Sequence, residues 1–519
     1  MISELFRTKT LARINAEAQT PGGHHLKKTL GAFDLVALGI GAVIGAGIFT
    51  VIGTAAAGGA SHVGAGPAVS LSFLITAVAC AFCALAYAEF ASMVPISGSA
   101  YTYSYATLGE VVAWIIGWDL ILEYGIGNVA VAIGWSGYFH HLMEGFGLHI
   151  PGWLSVDYHS AHLAFQESIK TGGTVAPGMK LAMEAWQNHP TLLGIPVIFN
   201  SLAFGIVLLL TWLLCIGIKE SAWTNNAMVA IKLVILTFFI GLGAFHVNPE
   251  NWTPFMPNGF NGVWVGASLV FFAFIGFDAV STAAEECKNP GRDLPIGIIG
   301  SLVVCTLFYV AASVVVTGLV SWKTLGVADP LASAFSQVGL NWAAGVVAFG
   351  AVISISSVLL VFQMSQPRIF FSMGRDGMLP KWFSTVHPKY KTPANSTILT
   401  GVVVAVVAGF TNINEMVELT NIGTLFAFVL VSAGIIVLRI TDPKHPRIFR
   451  TPWVPWVPLA GMIMCGYLML GLPRITWIRF FIWLAIGLVI YFAYSYKHSV
   501  LRKHALTKPI NPRENISEP

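Results

Sequence analysis

The stretch that decides the fold reads Gly39-Ile40-Gly41-Ala42-Val43-Ile44-Gly45-Ala46-Gly47-Ile48-Phe49. It lies in a run from Leu35 to Ala88 that contains no Asp, Glu, Lys or Arg, long enough for two membrane spans of about 20 residues each. Each glycine costs a continuous helix on the order of 1 kcal/mol relative to alanine. Backbone that is broken at membrane depth is tolerated where it is buried or lines a cavity. The pattern therefore predicts either a broken helix at a binding site or glycines that let helices pack closely.

A break in this helix would expose two kinds of unpaired backbone group. The N–H groups that open one half-helix attract a carboxylate, and the carbonyls that end the other half attract an ammonium group or a cation. A zwitterionic amino acid carries both charges on one carbon atom. The glycine pattern alone leaves the binding site and the packing role as equal alternatives.

The composition of the chain excludes a soluble protein. Of its 519 residues, 55% are hydrophobic and 10% are charged, whereas soluble domains carry roughly 25% charged residues. The six cysteines lie in or beside apolar segments without Cys and His clusters, so we expect no metal and no other cofactor. The net charge of +4 follows the distribution of Lys and Arg among the loops and does not indicate nucleic-acid binding. We predict an all-α integral membrane protein embedded in a lipid bilayer.

The apolar segments predict twelve transmembrane helices. If ten of them form two related halves, arranged as a five-plus-five inverted repeat, the discontinuous helices 1 and 6 occupy corresponding positions, and two additional helices follow. The helices are predicted at 34–58, 66–94, 108–143, 192–217, 222–246, 262–285, 294–319, 336–368, 395–411, 416–439, 453–472 and 475–497. The larger divisions are an N-terminal tail at 1–33, a first repeat at 34–246 with an extracellular loop at 146–190, a second repeat at 262–439, helices 11 and 12 at 453–497, and a tail at 498–519. The chain after Tyr496 is predicted to be disordered.

The distribution of Lys and Arg predicts the orientation in the membrane. The two tails and the loops on their side hold 22 of these residues, the loops on the other side hold 5, and Lys232 lies within a helix. Because positive residues favour the cytoplasmic side, both termini are expected in the cytoplasm. The first 33 residues show no apolar segment of a cleavable signal peptide, so the first span is expected to direct insertion into the cytoplasmic (inner) membrane.

The sixth helix contains a second interruption, Phe271-Phe272-Ala273-Phe274-Ile275-Gly276-Phe277-Asp278. A glycine and a carboxylate stand in the middle of an apolar run. Interruptions at matching places in two related halves point to a transporter binding site. Asp278 is interpreted either as a structural, helix-capping acid or as a proton-responsive gating group.

Five motifs together resemble the amino acid–polyamine–organocation (APC) transporter superfamily, and most of all the bacterial members of its cationic amino acid transporter family. In chain order they are Val43-Ile44-Gly45-Ala46-Gly47-Ile48-Phe49, Pro95-Ile96-Ser97-Gly98-Ser99-Ala100-Tyr101, Phe274-Ile275-Gly276-Phe277-Asp278, the loop 285–298 and the loop 368–380. The resemblance covers residues 28–500. The long loop at 146–190 departs from the usual pattern of that superfamily.

The resemblance implies a site for α-amino acids at the two interruptions. The substrate carboxylate is expected at the N–H groups of Ala46 and Gly47, and the ammonium group at backbone carbonyls near Val43, Phe272 and Ile275. Either Phe272 or Phe274 is expected to close over the site. The predicted substrate-binding set is Val43, Ile44, Gly45, Ala46, Gly47, Phe272, Phe274 and Ile275. The side-chain pocket is not readable from the sequence, so small neutral and cationic amino acids remain alternatives.

Lys232 is the single basic residue inside a predicted membrane helix. A charged side chain at this depth is a functional hypothesis by default, although a lysine that reaches back to the cytoplasmic interface is an alternative. By resemblance, Lys232 matches a lysine whose ammonium group replaces sodium in proton-coupled relatives. The corresponding cation site is expected at the carbonyls around Gly41 and Ile44 and at the hydroxyls of Ser354, Ser356 and Ser357. We therefore expect a proton rather than sodium to be the coupling ion.

Glu123 is a buried acid of the third helix, interpreted as a proton relay, as part of the side-chain pocket or as a structural group; Asp119 is interpreted as structural. No repeated selectivity filter and no membrane-embedded nucleophile or metal cluster is present in the sequence, which disfavours a channel and an enzyme. The predicted function is secondary active import of α-amino acids by proton symport. An amino acid exchanger and a non-transporting sensor with the same site are alternatives, and the sequence leaves open whether a small accessory membrane subunit takes part.

Overall fold

The structure is a computed structural model that describes residues 5–9, 30–59, 62–93, 99–172, 179–192, 194–216, 222–390 and 392–507. Twelve apolar segments of it are helical, and we label them α1 to α12. They are α1a (Ala32–Val43) with α1b (Gly47–Ala57), α2 (Gly66–Met93), α3 (Glu110–Gly145), α4 (Ser201–Ile216), α5 (Ala222–Ala244), α6a (Gly259–Val270, continued by Phe271–Phe274) with α6b (Asp278–Glu286), α7 (Pro290–Leu319), α8 (Asn341–Arg375), α9 (Ala394–Phe410), α10 (Ile413–Thr441), α11 (Trp456–Leu470) and α12 (Arg474–Ile490).

Within the described residues, eight helices are long and apolar enough to cross a membrane by themselves. The two halves of α1 meet at 40° and together make a ninth candidate span. Three more helices, α4, α9 and α11, are apolar but contain 16, 17 and 15 residues. The prediction of an all-α, multi-pass membrane protein is confirmed, whereas the count of twelve spans and the division into repeats at 34–246 and 262–439 stay predictions.

Both predicted interruptions are present. Helix α1a ends where Ile44 adopts an extended conformation with ψ of 102°. In the sixth helix the backbone of Ile275 is extended, with ψ of 134°. Gly276 has φ of +116°, an angle that residues other than glycine rarely adopt. The glycine required by the backbone thus marks the interruption of α6.

The two interruptions pack directly against each other. A Cβ atom added at Gly47 would fall on the Cα atom of Ala273, and one added at Gly276 would lie 2.9 Å from the carbonyl oxygen of Ala42. The glycines therefore have both backbone roles that the sequence analysis considered. They interrupt the helices, and they let the interrupted backbones approach closely.

Several segments between the spans are more ordered than the sequence indicated. The loop at 146–190 contains the helices Tyr158–Lys170 and Lys180–Gln187, which pack around Ala161, Ala185 and Ile198. Helix α4 begins at Ser201 rather than at 192, because Thr191–Leu192 pairs with Ile195–Pro196 as a short hairpin. Pro196 also disfavours a helical conformation of the residue before it. Two further short helices that the sequence did not predict are Ser99–Thr107 and Pro330–Gln337.

The described residues near the two chain ends lie at the same end of the helix bundle. Lys9 forms an ion pair of 3.0 Å with Asp376, and the N–H group of Val500 donates to the Asp376 carbonyl over 3.0 Å. The hydroxyl of Ser499 donates to Glu110 over 2.6 Å. The disorder predicted after Tyr496 is wrong for the helix at 500–507, because these contacts anchor its start. The tail segments 1–4, 10–29 and 508–519, loop residues 173–178, residues 94–98 and Lys219 lie outside the described residues.

A buried charge cluster fastens the connection between α10 and α11 to α2. The carboxylate of Glu89 is fully buried and accepts two hydrogen bonds of 2.9 Å each from Arg439. Arg447 lies 3.0 Å from the same carboxylate, and the N–H group of Thr451 donates to it over 2.8 Å. Two guanidinium groups therefore depend on one carboxylate for their charge compensation.

We expect Glu89→Ala to lower the free energy of unfolding by about 3 kcal/mol or more, because removal of one partner leaves buried charges uncompensated. Thermal unfolding of the purified protein in detergent measures the loss. Glu250→Ala, at an exposed acid, is the matched control and should unfold like the wild type. An equal melting temperature for Glu89→Ala and wild type would show that the cluster does not stabilise the fold.

Candidate substrate and cation site

The second half of the first helix, α1b, begins at the interruption. The N–H groups of Ile48 and Phe49 both reach the carbonyl of Gly45, over 3.2 Å each. Helical hydrogen bonding therefore restarts at Gly45, and the N–H groups of Ala46 and Gly47 belong to the first turn, where a helix offers them no partner of its own. Ala46 is only 1% exposed. This positive helix end is suited to an anionic group such as a carboxylate.

The carbonyl side of the interruptions is organised by a residue that the sequence analysis missed. The hydroxyl of Tyr309 in α7 lies 2.9 Å from the carbonyl oxygen of Val43 and 2.8 Å from that of Ala273. The carbonyl of Phe272 accepts from the N–H group of Ile275 over 3.4 Å, whereas the Tyr309 hydroxyl is the hydrogen-bond neighbour of the Ala273 carbonyl. A lone tyrosine in the apolar middle of α7 was the available signal, but the sequence did not say which helix it faces.

The two phenylalanines predicted to close the site have different surroundings. The ring of Phe274 is fully buried and packs against Tyr309, with 5.3 Å between ring centroids, and against Phe73, with 6.3 Å. These contacts give Phe274 a packing role between α2, α6 and α7. Phe272 is 5% exposed and has no ring partner among the described aromatic residues, so it is the better candidate for a closing side chain.

Lys232 projects from α5 into the interruption of α1. Its Nζ atom donates to the carbonyl of Gly41 over 2.5 Å and to that of Ile44 over 2.9 Å. The residue is fully buried, so the ammonium group does not extend to a membrane interface. A protein cation thus occupies the negative end of α1a, where unpaired carbonyls attract positive charge.

The three serines of α8 do not all lie on the same face of the helix. Ser354 and Ser357 are buried, and their hydroxyls donate to the carbonyls of Gly350 and Ser354 over 2.7 and 3.1 Å. Val358, one turn after Ser354, is the residue that a Cβ atom on Gly45 would strike, so this face of α8 packs against α1. Ser356 is turned to α3, where its hydroxyl accepts from Trp135 Nε1 over 2.8 Å. Ser354 therefore lies on the face of α8 that packs against α1, and Ser356 does not.

Two acids meet in the centre of the bundle. Asp278 accepts hydrogen bonds from Tyr124 over 2.8 Å and from Ser99 over 3.4 Å. Glu123 lies beside Asp278 and Thr424, yet both of its oxygens lack a hydrogen-bond partner in the part of the chain that the structure describes. A π-helical turn at Ile121–Ile126 orients Glu123, and such turns are frequent at functional sites. Both donors reach the same oxygen of Asp278, so its second oxygen and both oxygens of Glu123 accept no hydrogen bond within the described residues.

Within the described residues, neither Asp119 nor the loop histidines contact this site. Both oxygens of Asp119 lack hydrogen-bond partners among the described residues although the residue is only 1% exposed, so no such bond supports the structural role interpreted for it from the sequence. His149 lies 3.6 Å from Glu144 and 3.6 Å from Glu184 in the loop region. In the described ranges no group of three or more His, Cys, Asp or Glu side chains could hold a metal ion.

Comparison with known proteins found one matching family model and several similar proteins. The family model described as amino acid permease matches residues 30–496. The branched-chain amino acid permease BcaP of Bacillus subtilis is 47% identical, over 97% of this chain and 100% of the relative. The methylthioribose transporter of the same organism is 46% identical over 97% and 100%. The vacuolar cationic amino acid transporter 4 of Arabidopsis thaliana is 37% identical over 85% of this chain and 68% of its own length.

Proposed function

The chain belongs to the amino acid permease family of the APC superfamily, whose members named above are transporters and not enzymes, and from this premise we propose that it imports α-amino acids by proton symport. The proposed carrier lies in the cytoplasmic membrane with both termini in the cytoplasm. The substrate is held between the interrupted helices α1 and α6. Lys232 is the proposed coupling group.

The observation that carries this proposal is the arrangement of opposite backbone ends around one interruption. The first N–H groups of α1b, at Ala46 and Gly47, favour a carboxylate. The carbonyls of Val43 and Ala273 favour an ammonium group. An α-amino acid matches both, whereas a neutral sugar such as methylthioribose carries neither charge. This supports amino acids over the substrate named for the second bacterial relative.

The position of Lys232 supports proton coupling. Its ammonium group sits on the carbonyls of Gly41 and Ile44, where it takes the place a bound monovalent cation would occupy. Loss of the proton would remove the charge that binds α5 to the end of α1a. We propose that this release allows the interrupted helices to reopen, while Glu123 passes or receives the proton. Sodium and a charged Lys232 would compete for the same carbonyls.

The names of the relatives do not determine which amino acid side chain the substrate carries, so the substrate has to be identified by experiment. One bacterial relative is named for branched-chain amino acids and the plant relatives for cationic ones. Glu123 lies beside Asp278, and a carboxyl group there suits a cationic side chain or a proton, but not a branched apolar side chain directly. A substrate panel therefore needs leucine, alanine, arginine and methylthioribose.

Uptake of these four radiolabelled compounds into reconstituted vesicles, with and without an inward proton gradient, tests the proposal. We expect gradient-driven accumulation of at least one amino acid and none of methylthioribose, with no dependence on sodium. Flux only into vesicles preloaded with amino acid would establish an exchanger instead. Binding without flux would establish a sensor. Accumulation driven by sodium at a constant proton gradient would contradict the assigned role of Lys232.

A further inference from the structure

Tyr309 is the one side chain seen to join the two interruptions among the hydrogen bonds of the described residues. It lies in the middle of α7, it is fully buried, and its hydroxyl contacts the carbonyls of Val43 and Ala273 at 2.9 and 2.8 Å. One carbonyl belongs to α1 and the other to α6. The hydroxyl therefore fixes the distance between the last carbonyls of two broken helices.

At the Tyr309 hydroxyl there are fewer hydrogen-bond donors than acceptors. A tyrosine hydroxyl has one proton to donate, but two carbonyl oxygens lie within bonding distance of it. Each carbonyl can accept two hydrogen bonds, and a buried acceptor without a donor is unfavourable. A second donor is thus required between Val43 and Ala273. A primary ammonium group supplies three N–H bonds and positive charge.

Packing leaves the hydroxyl little freedom to move. The Tyr309 ring is held by Phe274 and by Phe73, with 5.3 and 5.4 Å between ring centroids. On the other side of the site, Gly47 touches the backbone of Ala273, so α1b and α6 cannot approach further. The ring contacts position the hydroxyl, and the hydroxyl positions the carbonyls.

We propose that Tyr309 is a positioning residue that presets the carbonyls of Val43 and Ala273 for the α-amino group of the substrate and so selects primary amines. This inference rests on the proposed amino acid binding and deepens it. An α-hydroxy acid has the same carboxylate and side chain but offers a single uncharged donor. It gains little from the preset carbonyls, so Tyr309 contributes to discrimination between the two compounds.

The test compares Tyr309→Phe with Tyr138→Phe in the full-length protein. The second variant is a matched control, because the hydroxyl of Tyr138 also donates to a carbonyl of α1, that of Phe49, over 2.5 Å and outside the interruption. The probes are L-leucine and its α-hydroxy analogue, or L-alanine and lactate if the wild type does not bind leucine, or L-arginine and its α-hydroxy analogue if it binds neither. For Tyr309→Phe we expect KM for the amino acid to rise about 10-fold, the effect of one hydrogen bond to a charged group, with kcat within about 2-fold of wild type.

Affinity for the hydroxy acid, measured by competition, should stay unchanged in Tyr309→Phe. Tyr138→Phe should not change the affinity for one probe more than the affinity for the other. Thermal unfolding in detergent verifies that both variants are folded. An equal loss for amino acid and hydroxy acid indicates a merely structural tyrosine and overturns the inference, as does unchanged or tighter amino acid binding. If the wild type binds none of leucine, alanine and arginine, the proposed function itself fails, and that result is distinct from a failure of the variant.

Discussion

Replacement of Lys232 by methionine is expected to abolish accumulation of amino acids driven by a proton gradient. Methionine has a similar length and suits an apolar interior, so the fold and amino acid binding should persist. The variant lacks the charge that now binds the carbonyls of Gly41 and Ile44. Without a group that gains and loses a proton, the gradient has no means of biasing the carrier.

The accumulation ratio in vesicles measures this effect. We expect the ratio with an inward proton gradient to fall at least about 10-fold, to the level seen without a gradient, while equilibrium binding of the same amino acid stays within about 3-fold. Lys323→Met is the matched control, because Lys323 is an exposed lysine in the connection between α7 and α8. If Lys232→Met vesicles still concentrate substrate in response to the gradient, another residue couples the proton, and Glu123 is then the next candidate.

Introduction of a methyl group at Gly47 is expected to have the second large effect. The added Cβ atom would fall on the Cα atom of Ala273, which is backbone and cannot rotate away as a flexible side chain would. Relief of this overlap requires α1b and α6a to separate. Such overpacking costs about 1–3 kcal/mol of stability, and it also displaces the N–H groups and carbonyls that we assign to the substrate.

For Gly47→Ala we expect a loss of amino acid uptake of about 100-fold or more and a lower melting temperature. Gly205→Ala serves as control, since a Cβ atom there meets nothing within 4 Å and the position is exposed on α4. The additional change Ala273→Gly should fail to rescue uptake, because the overlap is with the backbone at 273. Wild-type uptake in Gly47→Ala would show that the two interruptions do not need their close contact.

Local sequence was sufficient to predict an all-α, multi-pass membrane protein with two interrupted helices. Long apolar runs, glycines between residues 39 and 47, and a glycine–carboxylate interruption near Asp278 act over a few residues, so their consequences for the backbone are readable without the tertiary fold. The same holds for the five motifs that resemble the APC superfamily, and the family membership is confirmed. Segment boundaries were less readable, as the hairpin before α4 shows, because the pairing of 191–192 with 195–196 competes with an apolar helix start.

The roles of individual side chains could not be predicted from the sequence, because they depend on which helices pack against each other. The sequence placed three serines on α8, but their faces differ: Ser354 lies on the face that packs against α1, whereas Ser356 lies against Trp135. It offered Phe272 and Phe274 as equivalent, and packing against Tyr309 separated them.

Tyr309 itself became visible only when α7 brought its hydroxyl between the ends of α1a and α6a. Helical periodicity fixes the direction of a side chain around its own axis. What stands in that direction is set by contacts between residues far apart in the chain. The sequence by itself therefore determined that the helices break and where, and the tertiary structure decided which groups meet at the breaks.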